Sequence, residues 1–317
     1  MSYRAAWWLK NGHVQSIYPS LFRRLDDRFL VKERIDTPDQ DFIDLDWGQA
    51  GNRRLVVLTH GLEGHSRRPY MLGMASTFLQ HHWDVMAWNF RSCSGETNRH
   101  LRSYHSGAID DLDTVVRHAI SKGYDEVALI GFSIGGNKTL IYLGKNAQRV
   151  PKQVIGAVVF SVPCDLRSSS EQLAKPKNIL YMRNFLASLK QKLKQKQLLF
   201  PNEIDLRGYA KIRNFREYDD RYTAPFNGFK DAEDYWRQSS SKQYLEEIVV
   251  PTLMISAKDD PFLTPECFPY EVLAQAPSLT FEATDNGGHV GFMRVSQGKR
   301  YWSEQRALAY LQSLSQL

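Results

Sequence analysis

Apolar residues along this chain gather into short unbroken runs, separated by stretches in which they recur every third or fourth position. Runs of strand length, rich in branched side chains, lie at residues 54–60, 83–90, 127–130, 153–162, 251–256 and 279–284. A strand that is apolar at consecutive positions must be covered on both faces, as in a parallel sheet flanked by helices. Helical spacing separates the runs: at about residues 69–82, from near Ser106, from Asn137 through Leu140, Tyr142 and Leu143, and last at residues 301–314. This alternation predicts an α/β fold. Residues 41–48 differ, because they alternate apolar and polar, which predicts a half-exposed strand at a sheet edge.

Between residues 164 and 248 the alternation lapses. Residues 182–200 read as a helix carrying Lys190, Lys192, Lys194 and Lys196, and aromatic and polar residues follow through Phe229. The lysines are expected on a solvated face. An insertion at this point of an α/β chain is expected to form a helical cap over the sheet. Tyr181, Phe185, Tyr222, Phe226 and Phe229 would roof an apolar pocket beneath it. Neither an internal repeat nor a low-complexity linker interrupts the pattern, so residues 1–317 are expected to form a single domain with the cap inside it.

Candidate chemistry sits where the run at 127–130 passes into Gly131-Phe132-Ser133-Ile134-Gly135-Gly136. G-x-S-x-G between a strand and a helix is a nucleophile elbow: the serine is held on a sharp turn and its neighbours must lack side chains. Its Oγ then lies at a helix N-terminus, where free N–H groups and the dipole favour negative charge. A phosphate loop is the rival, because Gly131-x-x-x-x-Gly136 is followed by Lys138-Thr139. Asn137 intervenes, however, and puts the lysine about 100° away around the helix. The run at 54–60 ends in His60-Gly61-Leu62-Glu63-Gly64, a small-residue loop suited to the second half of an oxyanion hole, with the amides of Leu62 and Ile134 as donors.

Chain order completes the set. Elbow serine, acid, then histidine is the order of a Ser-Asp-His hydrolase, and among nine histidines only His289 follows Ser133. It lies in Gly287-Gly288-His289, just past a strand. The acid is Asp260, or Asp259 beside it, at the end of the run at 251–256. His105-x-x-x-x-Asp110 also matches an acyltransferase-type pattern, but six-residue spacings of this kind recur by chance.

A net charge of +6, with dispersed basic residues, leaves a basic solvated surface as the plain reading and points to no nucleic acid. Cys93, Cys164 and Cys267 are odd in number and widely spaced, which predicts free thiols in a reducing compartment. No leader-like apolar region precedes the first run, and the longest apolar run, residues 154–162, is about half a membrane span. A cytoplasmic protein is therefore expected. Residues 1–30, with Trp7, Trp8, Tyr18, Phe22, Arg23 and Arg24, read either as an arm packed on the core, or as a segment that lies on a membrane as a peripheral contact or covers the active-site mouth.

Taken together, Asn11-Gly-His-Val-Gln-Ser16, His60-Gly-Leu-Glu-Gly64, Cys93-Ser-Gly-Glu96, Tyr104-His-Ser-Gly107, Gly131-Phe-Ser-Ile-Gly-Gly-Asn137, Ala257-Lys-Asp-Asp-Pro-Phe262 and Gly287-Gly-His-Val-Gly-Phe292 resemble the YheT-like branch of the α/β-hydrolases. That branch is related to plant and animal abhydrolase-domain lipases. The resemblance implies an eight-stranded, mostly parallel sheet with helices on both faces, a cap, and hydrolysis of carboxylic esters, whether short- to medium-chain or lipid-like. It implies no cofactor or metal. Ser133, Asp260 and His289 carry over as the triad. Acyl transfer on the same triad, and phosphate or nucleotide binding at the glycine-rich turn, are the alternatives.

Overall fold

The computed structural model describes residues 3–145, 147–294 and 300–315. Its strands are β1 (Val31–Asp36), β2 (Phe42–Gly48), β3 (Arg54–Thr59), β4 (Asp84–Trp88), β5 (Glu126–Phe132), β6 (Val154–Phe160), β7 (Thr252–Ala257) and β8 (Leu279–Thr284). They form one sheet in the order β1-β2-β4-β3-β5-β6-β7-β8. All neighbours from β4 to β8 pair in parallel, and β2 runs antiparallel to both β1 and β4. In chain order the helices are α1 (Gly12–Phe22), α2 (Pro69–Leu79), α3 (Asp110–Ser121), α4 (Ile134–Lys145), α5 (Leu166–Leu173), α6 (Ile179–Gln197), α7 (Phe215–Tyr218), α8 (Ala224–Phe226), α9 (Ala232–Ser239) and α10 (Trp302–Leu314).

Alternate residues of each central strand feed two separate cores. Leu55, Val57, Leu129 and Val159 pack with Leu112 and Val115 of α3 and with Leu140 of α4. Val56, Leu58, Ile130 and Val158 pack with Met71 and Phe78 of α2 and with Trp302 and Leu311 of α10. Two covered faces explain why these strands read as unbroken apolar runs. Burial of each such side chain stabilises the fold by roughly 1.5–3 kcal/mol.

The sheet edge departs from the expectation. β2 is an interior strand and almost wholly buried, while β1 lies outside it and was not legible as a strand. The polar positions that made β2 look half-exposed have partners: Asp46 accepts hydrogen bonds from Ser66 and Arg67, and Asp44 from Arg34. β1 (Val-Lys-Glu-Arg-Ile-Asp) has charged side chains along a solvated edge, which hides its period and discourages edge-to-edge pairing.

Between β6 and β7 the chain leaves the sheet for α5 to α9. These helices carry a core of their own, in which Leu173, Met182, Leu186, Tyr218 and Tyr222 pack together and reach Phe262 in the loop after β7. No helix among the described residues is long and apolar enough to cross a membrane.

Candidate active site

β5 ends at Phe132 and α4 begins at Ile134, so Ser133 alone makes the turn, at φ +55°. A Cβ on Gly131 would lie 2.6 Å from the Gly135 carbonyl oxygen, and one on Gly135 would lie 2.4 Å from the carbonyl oxygens of Thr59 and His60. The turn closes only because those side chains are missing. The Ser133 amide donates to the Phe160 carbonyl at 2.8 Å and its carbonyl accepts from the Asn137 amide at 3.0 Å, which ties the strained residue to β6 and α4.

His289 lies in the loop after β8. Its Nδ1 is 2.9 Å from Oδ2 and 3.2 Å from Oδ1 of the buried Asp260. Asp260 also accepts the Phe262 amide at 2.9 Å, and the Phe262 ring packs on the imidazole with centroids 4.2 Å apart. A carboxylate on Nδ1 keeps the proton there and leaves Nε2 as the basic nitrogen. Asp259 does different work. It accepts the Gly288 amide at 2.8 Å and contacts the Asn286 amide group at 3.3 Å, so it holds the backbone of the histidine loop rather than the ring. Burial pushes its carboxyl above the usual range.

The histidine loop is also braced from α1. Ser16 accepts the His289 amide at 2.8 Å, Gln15 accepts the Met293 amide at 3.1 Å, and Gly12 lies so close that a Cβ on Gly288 would be 2.3 Å from its carbonyl oxygen. Asn11 caps the helix, its side chain accepting the amides of His13 and Val14. Nothing in the local sequence marks Gln15 and Ser16 for this role, beyond an N-cap asparagine followed by small and polar residues.

On the other side, His60 follows β3 directly, with Nδ1 2.7 Å from the Gly61 carbonyl and Nε2 accepting the Phe90 amide at 3.1 Å. Burial pushes its pKa down to about 3, so the ring stays neutral and its two bonds define one tautomer. Tyr70 accepts the Gly61 amide at 3.0 Å. Glu63, at φ +54°, sends its carboxylate inward to accept from Tyr104 at 2.5 Å, from Lys192 at 2.8 Å, and from Ser188. The loop carrying Leu62 is thereby fastened to α6. Leu62, Ser133, Ile134 and His289 all line one cavity of about 140 Å³, whose walls include Leu166, Phe185, Leu189, Phe215 and Phe226.

Residues 54–294 match the α/β-hydrolase fold family. The chain belongs to the α/β-hydrolases. It falls in their YheT-like branch: it is 37% identical over 290 residues, spanning 89% of this chain and 84% of the other, to the Escherichia coli (strain K12) protein YheT, whose name assigns it provisionally to the esterases. Human phospholipase ABHD3 is 30% identical over 304 residues, spanning 92% of this chain and 74% of its own. An esterase from Pyrococcus furiosus, Pf2001, superposes with a TM-score of 0.61 at 17% identity, covering 92% and 93% of the two chains, a likeness of fold.

Other sequence-level candidates are arranged differently in this α/β-hydrolase. Lys138 is buried, and its ammonium donates to the His105 carbonyl at 2.5 Å and the Ala108 carbonyl at 2.9 Å, away from the glycine-rich turn. His105 packs against Phe229 and Tyr235 while Asp110 pairs with Arg102, so these two form no dyad. Lys192 and Lys196 do not lie on a solvated face. Lys192 binds Glu63, and Lys196, 5% exposed, donates to the carbonyls of Leu101 and Arg102. Their spacing with Leu189 and Leu193 puts them on the inner stripe of α6. Of the five aromatic residues expected around the pocket, Phe185, Tyr222 and Phe226 line the cavity. Tyr181 packs on Phe262 and His13, and Phe229 on His105.

Asp219 lies in a π-helical turn (Asp219–Thr223) on the cavity wall and accepts from Thr223 at 2.6 Å and Trp236 at 2.9 Å. Burial raises its pKa from 3.8 to about 7. Between those values the folded chain keeps a proton that the unfolded chain releases, so stability falls as pH rises from about 4 to about 7 and levels off above. Asp219→Asn is expected to abolish this pH dependence, at the cost of one of the two acceptors that now serve Thr223 and Trp236. Urea midpoints of both proteins, taken near pH 5 and near pH 8, measure it. Equal pH dependence in the two would show that Asp219 does not carry the proton.

Proposed function

We propose that this chain, an ester hydrolase of the α/β-hydrolase family, cleaves carboxylic esters with short- to medium-chain or lipid-like acyl groups by an acyl-enzyme route. The observation that carries this reading is the shared cavity: Ser133, held at φ +55°, lines it together with His289, whose Nδ1 is held by Asp260.

His289 Nε2 takes the Ser133 proton as Oγ bonds to the ester carbonyl carbon. The carbonyl oxygen becomes an oxyanion and accepts the amides of Leu62 and Ile134, each such donor lowering the barrier by roughly 3–4 kcal/mol. Asp260 stabilises the imidazolium. When the intermediate collapses, the C–O bond to the alcohol breaks and the alcohol leaves with the proton from His289. Water then loses a proton to His289 while attacking the acyl-serine, and the acid and free Ser133 are restored. The reacting groups require no metal or organic cofactor.

Residues 164–248 serve as a cap inserted in a single domain, and the aromatic wall it supplies excludes water and receives the acyl chain. Each buried CH₂ adds up to about 0.8 kcal/mol, or about fourfold in kcat/KM, until the space is full. Across p-nitrophenyl esters from acetate to dodecanoate, assayed below their micelle concentrations, kcat/KM is therefore expected to climb and then drop. Phe185→Ala and Phe226→Ala should move the optimum to longer chains. A flat profile that these variants leave unchanged would remove the cap from the acyl site. Product analysis with added alcohols separates hydrolysis from acyl transfer.

A further inference from the structure

α1 is amphipathic in the reverse sense. Its buried face is Gly12, Gln15 and Pro19, small or polar residues that suit the histidine loop beneath. Val14, Ile17, Tyr18 and Leu21, at positions i, i+3, i+4 and i+7, form its outer face, and all four are exposed. Phe22, 63% exposed, packs on Tyr18 with ring centroids 4.9 Å apart, and Trp7, 82% exposed, precedes the helix. Alongside, the start of α6 exposes Ile179 and 73% of Leu180, and His13 stacks on Tyr181 to join the two helices. Isolated exposed apolar residues are ordinary, but a joined set across two elements is not.

Ile17, Leu21 and Leu180 are also the outer lining of a groove of about 510 Å³ whose inner lining includes Ser133 and His289. Two of the elements that line it, α1 and the start of α6, lie in stretches of unusual charge. Residues 1–25 and 172–202 contain no aspartate or glutamate, and they expose Arg4, Lys10, Arg24, Lys175, Lys177 and Arg183. Exposed aromatic and aliphatic side chains among basic residues, with acids missing, match the interfacial layer of an anionic bilayer. A second copy of the chain fits poorly, because a two-fold contact on this face would set basic residue against basic residue.

We propose that the α1–α6 face docks on an anionic lipid surface and that the groove admits an ester from that surface to Ser133. Docking is independent of catalysis, whereas delivery of an ester rests on the hydrolase reading above. The test uses full-length Ser133→Ala protein sedimented with vesicles of phosphatidylcholine, alone or with phosphatidylglycerol added. Binding is expected on the mixed vesicles, weakening as salt rises and much weaker on phosphatidylcholine alone. Adding Trp7→Ser and Phe22→Ser should lower binding at least about tenfold. Adding Lys177→Glu and Arg183→Glu should lower it by more than about 25-fold, at roughly fivefold per basic residue removed.

With Ser133 intact, Trp7→Ser/Phe22→Ser is expected to hydrolyse a water-soluble ester at the parent rate while losing activity on an ester held in mixed vesicles. Absence of binding to either vesicle, or binding that both substitution pairs leave unchanged, would overturn the proposal. So would a soluble dimer that Trp7→Ser/Phe22→Ser dissolves, or an acidic protein ligand captured in preference to lipid. Vesicle binding without any ester turnover would instead refute the hydrolase reading and leave docking intact.

Discussion

Ser133→Ala is expected to lower kcat by about 10⁶ and to abolish labelling by a fluorophosphonate, with the fold retained. The size follows from the proposed route: without Oγ the acyl-enzyme proposed above cannot form, and only oxyanion stabilisation and substrate positioning would remain. Folding should be spared because alanine and serine share a Cβ and bear the same strain at φ +55°. The Ser133 amide and carbonyl bonds to Phe160 and Asn137 are made by the backbone and persist. Labelling and turnover are read together with the melting temperature. Labelling that survives in a folded Ser133→Ala protein would place the nucleophile on another residue.

The second large effect separates two adjacent carboxylates. Asp260→Asn is expected to lower kcat by about 10⁴, because an amide facing Nδ1 favours the tautomer with the proton on Nε2, where the base is needed. The asparagine oxygen can still accept the Phe262 amide, so the loss is chemical rather than structural. Asp259→Asn keeps an oxygen for the Gly288 amide and leaves the ring of His289 untouched. Its loss is expected to be at most about tenfold, well below what a displaced catalytic group costs. Measuring kcat for both variants on one soluble ester decides the matter. A larger loss in Asp259→Asn would move the acid by one residue.

These two effects concern residues of unequal legibility. Ser133 could be read from its neighbours, since the glycine spacing, the strand before it and the helix after it all lie within fifteen consecutive residues. His289 could be reached by chain order and by the absence of any other histidine beyond the elbow. Asp259 and Asp260 could not be told apart, because both occupy the same strand end and differ only in the direction of their side chains. One points at a ring and the other at a backbone amide.

Where periodicity misled, a distant partner was responsible. β2 looked like an edge because Asp44 and Asp46 are charged, yet Arg34, Ser66 and Arg67 satisfy them within or beside the sheet. Lys192 looked solvated, yet Glu63, 129 residues away in sequence, draws it inward. α1 has its apolar residues on the outside because its inner face comes within reach of the histidine loop, where Gly12 allows close approach and Gln15 and Ser16 accept backbone amides.

By itself, then, the sequence determined what local sterics and solvent exclusion control: which segments are strands covered on both faces, and where a turn needs glycine around a serine. Tertiary structure alone decided which charges are buried in pairs, which carboxylate lies against His289, and which face of α1 meets water. Those outcomes depend on the position of a partner far along the chain, and a desolvated charge or an orphaned amide is too costly for the fold to leave its partner to chance.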